Sequence, residues 1–249
     1  MLEYILLFII SLVANAFSAF AGGGAGLLQL PALIFLGLPF SVALATHKLA
    51  SVALGIGASA RHFRERNLDV RFAVVMLVAG VPGVVLGASV ILNVPDRWAE
   101  LALGLLTMGL GVYSWASPEL GQVDTRTHRD LSGMLIGAGV LFGIGILNGS
   151  LTSGTGLFVT LWLIRWFGLD YKRAVAHTLV MVGLFWNGSG ALTLGLLGSI
   201  RWDWLPVLLA GSLLGGYIGA HYSIVKGNRA IKRAFELVTI LVGLKLIIG

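Results

Sequence analysis

The sequence predicts an all-α polytopic membrane protein made of two inverted repeats. Each repeat has about five helical segments, including a short helix after a glycine-rich turn. Three observations carry this reading. Apolar runs near the ~20 residues of a helical span recur along all 249 residues. A small-residue interruption occurs twice, at Gly22-Gly23-Gly24-Ala25-Gly26 and at Thr152-Ser153-Gly154-Thr155-Gly156, in corresponding places of the two halves. The basic residues gather in four segments, 61–71, 126–129, 165–173 and 226–233. Only 11% of residues are charged and 57% are hydrophobic, with a mean hydropathy of +0.92, which leaves no room for a soluble domain.

In chain order, Leu2–Phe20 reads as a full helix. It lacks a basic n-region and a small-residue cleavage site, so a retained span is expected rather than a signal peptide. The Gly22–Gly26 turn follows, then a short helix Leu27–Leu36 ending at Gly37-Leu38-Pro39, and the long helix Ser41–Ala60. After a basic loop come Phe72–Leu92 and, beyond the break at Pro95-Asp96, Trp98–Trp115. The hydrophilic stretch Ser117–Asp130 reads as a linker, dividing the chain into 1–116, 117–130 and 131–249. The second half repeats the plan: Leu131–Leu151, the second turn, short Leu157–Phe167, long Ala174–Leu197, then Trp204–Val225 and Ala230–Ile248. Gly24-Ala25-Gly26-Leu27 aligns with Gly154-Thr155-Gly156-Leu157, and Gly37-Leu38 with Gly168-Leu169. At about 1.5 Å per residue, neither short helix reaches across a ~30 Å hydrocarbon core.

Charge sets the expected orientation. In the first half the loop after the long helix is basic, and in the second the loop before it, so the halves point opposite ways. If each half crosses an odd number of times, all four basic segments fall on the cytoplasmic side and both termini lie outside. The formal net charge of +6 then reflects orientation and not nucleic-acid binding. The absence of cysteine excludes disulfides and thiolate metal sites. Neither a P-loop, an HExxH motif nor a pair of intramembrane carboxylates is present, and Leu151-Thr152-Ser153-Gly154 does not fit the serine motif of an intramembrane protease. No enzyme, metal or cofactor is expected.

Several polar residues stand in apolar surroundings. Lys48 lies inside a long helix with no acid nearby. Such a lysine either snorkels to the interface or meets an anion. Thr46 and His47 precede it, and His177 and Thr178 occupy similar positions in the second half; either histidine can satisfy the core, bond an anion or carry a proton. Gln29 follows the first turn and Asn148 precedes the second. Helix N-termini at the turns, with the hydroxyls of Thr152, Ser153 and Thr155, would complete a cradle for a small oxyanion.

These residues resemble the TauE/SafE (sulfite exporter) family of anion transporters. The resemblance rests on Ala21–Leu27 with Pro31-Ala32-Leu33, Gly37-Leu38-Pro39, Ala43–Leu49 and Arg66–Asp69. In the second half it rests on Gly145–Gly156, Ala174-Val175-Ala176-His177 and Gly211–Ala220. It implies a multi-pass protein of the bacterial inner membrane that exports or takes up sulfite, a sulfonate or a related organic anion. The expected mechanism is alternating access by rocking of the repeats, with a coupled proton on His47 or His177. A passive anion channel is the alternative. Taken with the residues read above, the expected substrate residues are Gly22, Gly23, Gly24, Gly26, Gln29, Thr46, His47, Lys48, Asn148, Thr152, Ser153, Gly154, Thr155, Gly156, His177 and Thr178. The expected partners are a small anion and the lipid bilayer, with a homodimer as the candidate assembly. One departure is Leu179, where similar proteins often carry a second lysine. That implies a monoanion, or an organic anion with an apolar tail, in place of a strongly dianionic substrate.

Overall fold

The computed structural model describes residues 2–62, 68–90, 96–125, 127–151 and 154–248. All regular structure in them is helical: α1 (Leu2–Ala21), α2 (Gly26–Phe35), α3 (Phe40–His62), α4 (Val70–Val90), α5 (Asp96–Ala116), α6 (Leu131–Ser150), α7 (Thr155–Arg165), α8 (Tyr171–His177), a π-helical segment (Thr178–Trp186), α9 (Asn187–Leu197) and α10 (Leu205–Ile248). Among the described residues six stretches are long and apolar enough to cross a membrane.

Two expected elements take a different form. The long helix of the second half begins at Tyr171 and is π-helical in its middle. The last two expected helices join into α10, whose backbone breaks at Gly227 with φ 75°. A positive φ is open to glycine at little cost, so the chain turns there without a loop.

The short helices have 10 and 11 residues, about 15 Å each at the α-helical rise. Both end alike. Gly37 (φ 96°) and Gly168 (φ 70°) adopt left-handed conformations. Leu38 and Leu169 then fold their amides back onto Leu33 O (3.2 Å) and Leu163 O (3.3 Å). This caps carbonyls that would otherwise be orphaned in an apolar medium.

Small residues set the helix packing. Along α1 and the first part of α10, a Cβ on Gly211 would approach Phe8 O to 2.8 Å and one on Gly215 would approach Leu12 O to 2.5 Å, and Gly219 abuts Ala16. The residue numbers rise together, so the two helices run parallel. Likewise Gly83 and Gly87 of α4 abut Phe142 and Ile146 of α6, and Gly149 of α6 returns the contact to Val84. Without a hydrophobic drive between helices in lipid, close backbone approach supplies the attraction. The outer surface carries exposed apolar side chains, such as Ile5, Ile9, Val13 and Phe17 on α1, as a lipid-facing stripe requires.

Hydrogen bonds join the described parts of the basic segments at one end of the molecule. Thr125 N donates to Gly168 O (2.8 Å) and Tyr171 N to Gly121 O (2.8 Å). Asn228 bridges Gln122 O (2.9 Å) and Lys172 N (3.0 Å), and Asp69 N donates to His177 Nε2 (2.8 Å). Residues 63–67 and 126 of those segments lie outside the described residues. Nearby, Lys232 pairs with Glu236 and donates to Ser114 O, tying α10 to α5.

Close helix packing predicts a contrast between two conservative substitutions. Gly215→Ala is expected to destabilise the protein by about 1–3 kcal/mol, as overpacking does. Gly143→Ala, whose Cβ meets nothing within 4 Å, is expected to be neutral or stabilising. Thermal melting of both variants in detergent checks this; equal melting temperatures would mean that close backbone approach does not hold α1 to α10.

Candidate functional site

Ser18 O ends α1 by accepting from the amides of both Gly22 (2.9 Å) and Gly23 (2.8 Å). The chain then passes through three left-handed glycines, Gly22 (φ 89°), Gly23 (φ 143°) and Gly24 (φ 100°). In the second half Gly154 (φ 75°) plays the same part at the start of α7. The two turns lie against each other. A Cβ on Gly23 would stand 2.6 Å from Gly156 C and Leu157 N. Gly22 O, freed from helical bonding, accepts from Thr160 Oγ1 at 2.6 Å. Thr160 Oγ1 also lies 2.9 Å from Thr178 Oγ1.

Beside this contact is a cavity of about 40 Å³. Eight of the sequence-predicted residues line it: Gly23, Gly24, Gly26, His47, Asn148, Thr155, Gly156 and Thr178. Ser18, Ser51 and Asn187 join them, and the sequence reading did not single these out. The signal that marks Asn187 is an amide next to an apolar run. Its Oδ1 is buried and has no hydrogen-bond partner among the described residues. The lining contains no carboxylate. The π-helical segment explains how Thr178 and Asn187 share the cavity. Nine residues of α-helix turn through about 900°, which would put them on opposite faces. The i→i+5 pattern widens the turn and brings them to one side. Trp186, fully buried against Gly80 and donating Nε1–H to Met76 O at 2.9 Å, anchors the widened segment.

Two predicted residues sit behind the lining. Gln29 Oε1 is 3.0 Å from His47 Nδ1. A carboxamide oxygen only accepts, so Nδ1 carries the proton. In the neutral ring Nε2 then accepts from Ser51 Oγ, 3.3 Å away. Gln29 is held in turn by Asn15 Nδ2 (3.2 Å) and Ser11 Oγ (3.3 Å), and Ser11 Oγ donates to Leu208 O (2.7 Å). Lys48 is fully buried. Its ammonium donates to Asn148 O (2.7 Å) and Asn148 Oδ1 (3.2 Å), near the C-terminal end of α6. A cation is favoured there by the helix dipole. Asn148 Nδ2 donates to Thr155 Oγ1 at 2.8 Å. Lys48 thus polarises the lining through Asn148, and its stem packs on Gly190, where a Cβ would stand 3.0 Å from Cδ.

Thr46 and His177 do not join this cluster. Thr46 Oγ1 donates to Val42 O (2.7 Å) and accepts from Arg201 N (2.9 Å), fastening the α9–α10 loop. His177 lies toward the opposite end. Its Nε2 accepts from Asp69 N, and its Nδ1 lies 2.8 Å from Arg173 O. The two long helices therefore do not bring Thr46 and His177 together. Thr152 and Ser153 lie outside the described residues.

Comparison with known proteins agrees with this architecture. Residues 7–246 match the family described as Sulfite exporter TauE/SafE. A probable membrane transporter protein of Haemophilus influenzae is 31% identical, over 97% of this chain and 93% of the relative. The probable membrane transporter protein ORF9 of Sinorhizobium sp is 27% identical over 97% of this chain and 91% of its own length. The Escherichia coli K12 protein YfcA, also described as a probable membrane transporter, is 28% identical over 97% and 88%. No solved structure matches.

The Lys48 geometry predicts that Lys48→Met folds less stably, by about 1–3 kcal/mol, because two oxygens of Asn148 lose a charged donor. A detergent melt of this variant beside wild type measures it. An unchanged melting temperature would reduce Lys48 to a tolerated buried cation.

Proposed function

Since the chain belongs to the sulfite exporter TauE/SafE family and is a membrane transporter rather than an enzyme, we propose that it is a secondary transporter for a small sulfur oxyanion. The observation that carries this reading is the cavity where the two turns meet, with donors contributed by both halves and no acidic side chain. Asn148, Thr155, Thr178 and Asn187 would hold the ion, and Lys48 would supply positive charge through Asn148. Lys48 and the turn backbone belong to the cradle, whereas Thr46 and His177 lie outside it. A volume of about 40 Å³ holds only a few water-sized groups, which favours a compact ion such as sulfite over a sulfonate with a long tail. His47, with Nε2 turned to Ser51 at the cavity wall, would take up a coupled proton.

We further propose that 1–116 and 131–249 are inverted copies joined by the linker 117–130, and that they rock about the turns to give alternating access. Three relations support the two-fold arrangement. Gln29 and His47 hydrogen-bond at a separation of 18 residues, and Thr160 and Thr178 do so at the same separation. The first helix of each half packs in parallel on a later helix of the other, α1 on α10 and α6 on α4. The short helices end in the same left-handed glycine. In a bacterial inner membrane the basic end would face the cytoplasm.

Two outcomes are expected. Sulfite raises the melting temperature of the purified protein, since a ligand of the folded state stabilises it by mass action, and the shift is smaller in Thr155→Val and Asn187→Leu. No shift with sulfite, sulfate or thiosulfate would sink the anion reading. For the orientation, a cysteine at Ser199 is labelled from outside intact cells and one at Thr127 is not. Labelling of both from one side would overturn the inverted arrangement.

A further inference from the structure

A second polar cavity, of about 190 Å³, lies at the basic end between the linker, the start of α4 and α8. Asp124, Arg129, Arg173 and His177 line it, with Asp69 and Phe72. Its geometry centres on one carboxylate held by two guanidiniums. Arg129 Nη2 donates to Asp124 Oδ1 at 2.7 Å and Arg173 Nη1 donates to Asp124 Oδ2 at 2.7 Å. Each is a charge-assisted hydrogen bond of the kind that guanidinium forms with any oxyanion.

We propose that this cavity is a second anion-binding site, in which Arg129 and Arg173 receive a small oxyanion and Asp124 is the built-in carboxylate that occupies their donors in its absence. The proposal rests on the reading that the chain carries such an anion. Sulfite or sulfate presents the same motif as a carboxylate, two oxygens on one central atom, so it can take the place of Asp124 between the guanidiniums. Arg129 is held by contacts independent of Asp124. Its guanidinium lies 5.1 Å from the centre of the Phe72 ring, and its Nε donates to Phe167 O at 3.2 Å. Arg173, whose side chain is 47% exposed, is free to move between Asp124 and an arriving ion. The Arg173 side of the pair is open to solvent, while the Asp124 side is only 17% exposed.

The site borders the same stretch of chain as the central cavity. His177 lines the one and Thr178, the next residue, lines the other. An anion held by the two arginines would stand at the approach to the central cradle from the basic end. Displacing Asp124 would also release a contact that fastens the linker to α8.

Calorimetric titration of sulfite, under nitrogen, into the purified full chain tests the proposal by the sign of two changes. Asp124→Asn removes the competitor and is expected to bind sulfite at this site about tenfold more tightly, the equivalent of one charge-assisted hydrogen bond no longer contested. Arg173→Gln removes a donor and is expected to weaken the same binding about tenfold, while the central equivalent is retained. A structural ion pair would give another pattern, in which both variants leave sulfite binding at the wild-type level or both weaken it, and either result overturns the second site. Because Arg173 is half exposed, Arg173→Gln decides the matter alone if Asp124→Asn does not fold. Absence of any sulfite heat in wild type and in both variants would remove the anion-carrier reading itself. One wild-type equivalent unaffected by either variant would remove only the second site.

Discussion

The structure depends on one constraint: backbone removed from a helix and buried among apolar side chains has no water to bond to. Two interruptions stand at such places here, and each is covered by the other half. Gly22 O receives the hydroxyl of Thr160, and Gly23 lies against Gly156 so closely that no side chain fits between them. Glycine is required at these positions on two counts, the left-handed backbone of Gly22 to Gly24 and the backbone contact itself. Neither half could present its broken helix to lipid alone. The same contact leaves a small polar space beside it, so the feature that solves a folding problem also produces the central cavity.

Much of this was legible in the sequence because its signals are one-dimensional. Apolar runs, glycine clusters and charge segments located the spans, the turns and the basic end. Which way a side chain points is less legible. Thr46 and His47 are neighbours, yet a helix separates consecutive side chains by about 100°, and the tertiary packing turned His47 to the cavity and Thr46 to the α9–α10 loop. Lys48 stood out as a buried cation, but nothing in the sequence said that the end of α6 would supply its acceptors. Asn187 escaped notice for a related reason. An α-helical count from Thr178 puts it on the far face, and no local pattern announces the π-helical segment that returns it.

The two halves also differ in a way that bears on charge. Under the proposed two-fold relation, Gln29 and His47 correspond to Thr160 and Thr178, and Lys48 corresponds to Leu179. At these matched positions one half therefore contributes a titratable ring and a cation, and the other contributes hydroxyls and an apolar side chain. Lys48 does not line the central cavity; Asn148 stands between, its Oδ1 on the lysine and its Nδ2 on Thr155. Charge delivered through an amide favours an anion without placing a lysine in direct contact with it. A carrier has to release its substrate as well as bind it. A cation already satisfied by the Asn148 oxygens would hold an ion less firmly than one left with the ion as its chief partner, and that difference suits turnover better than storage.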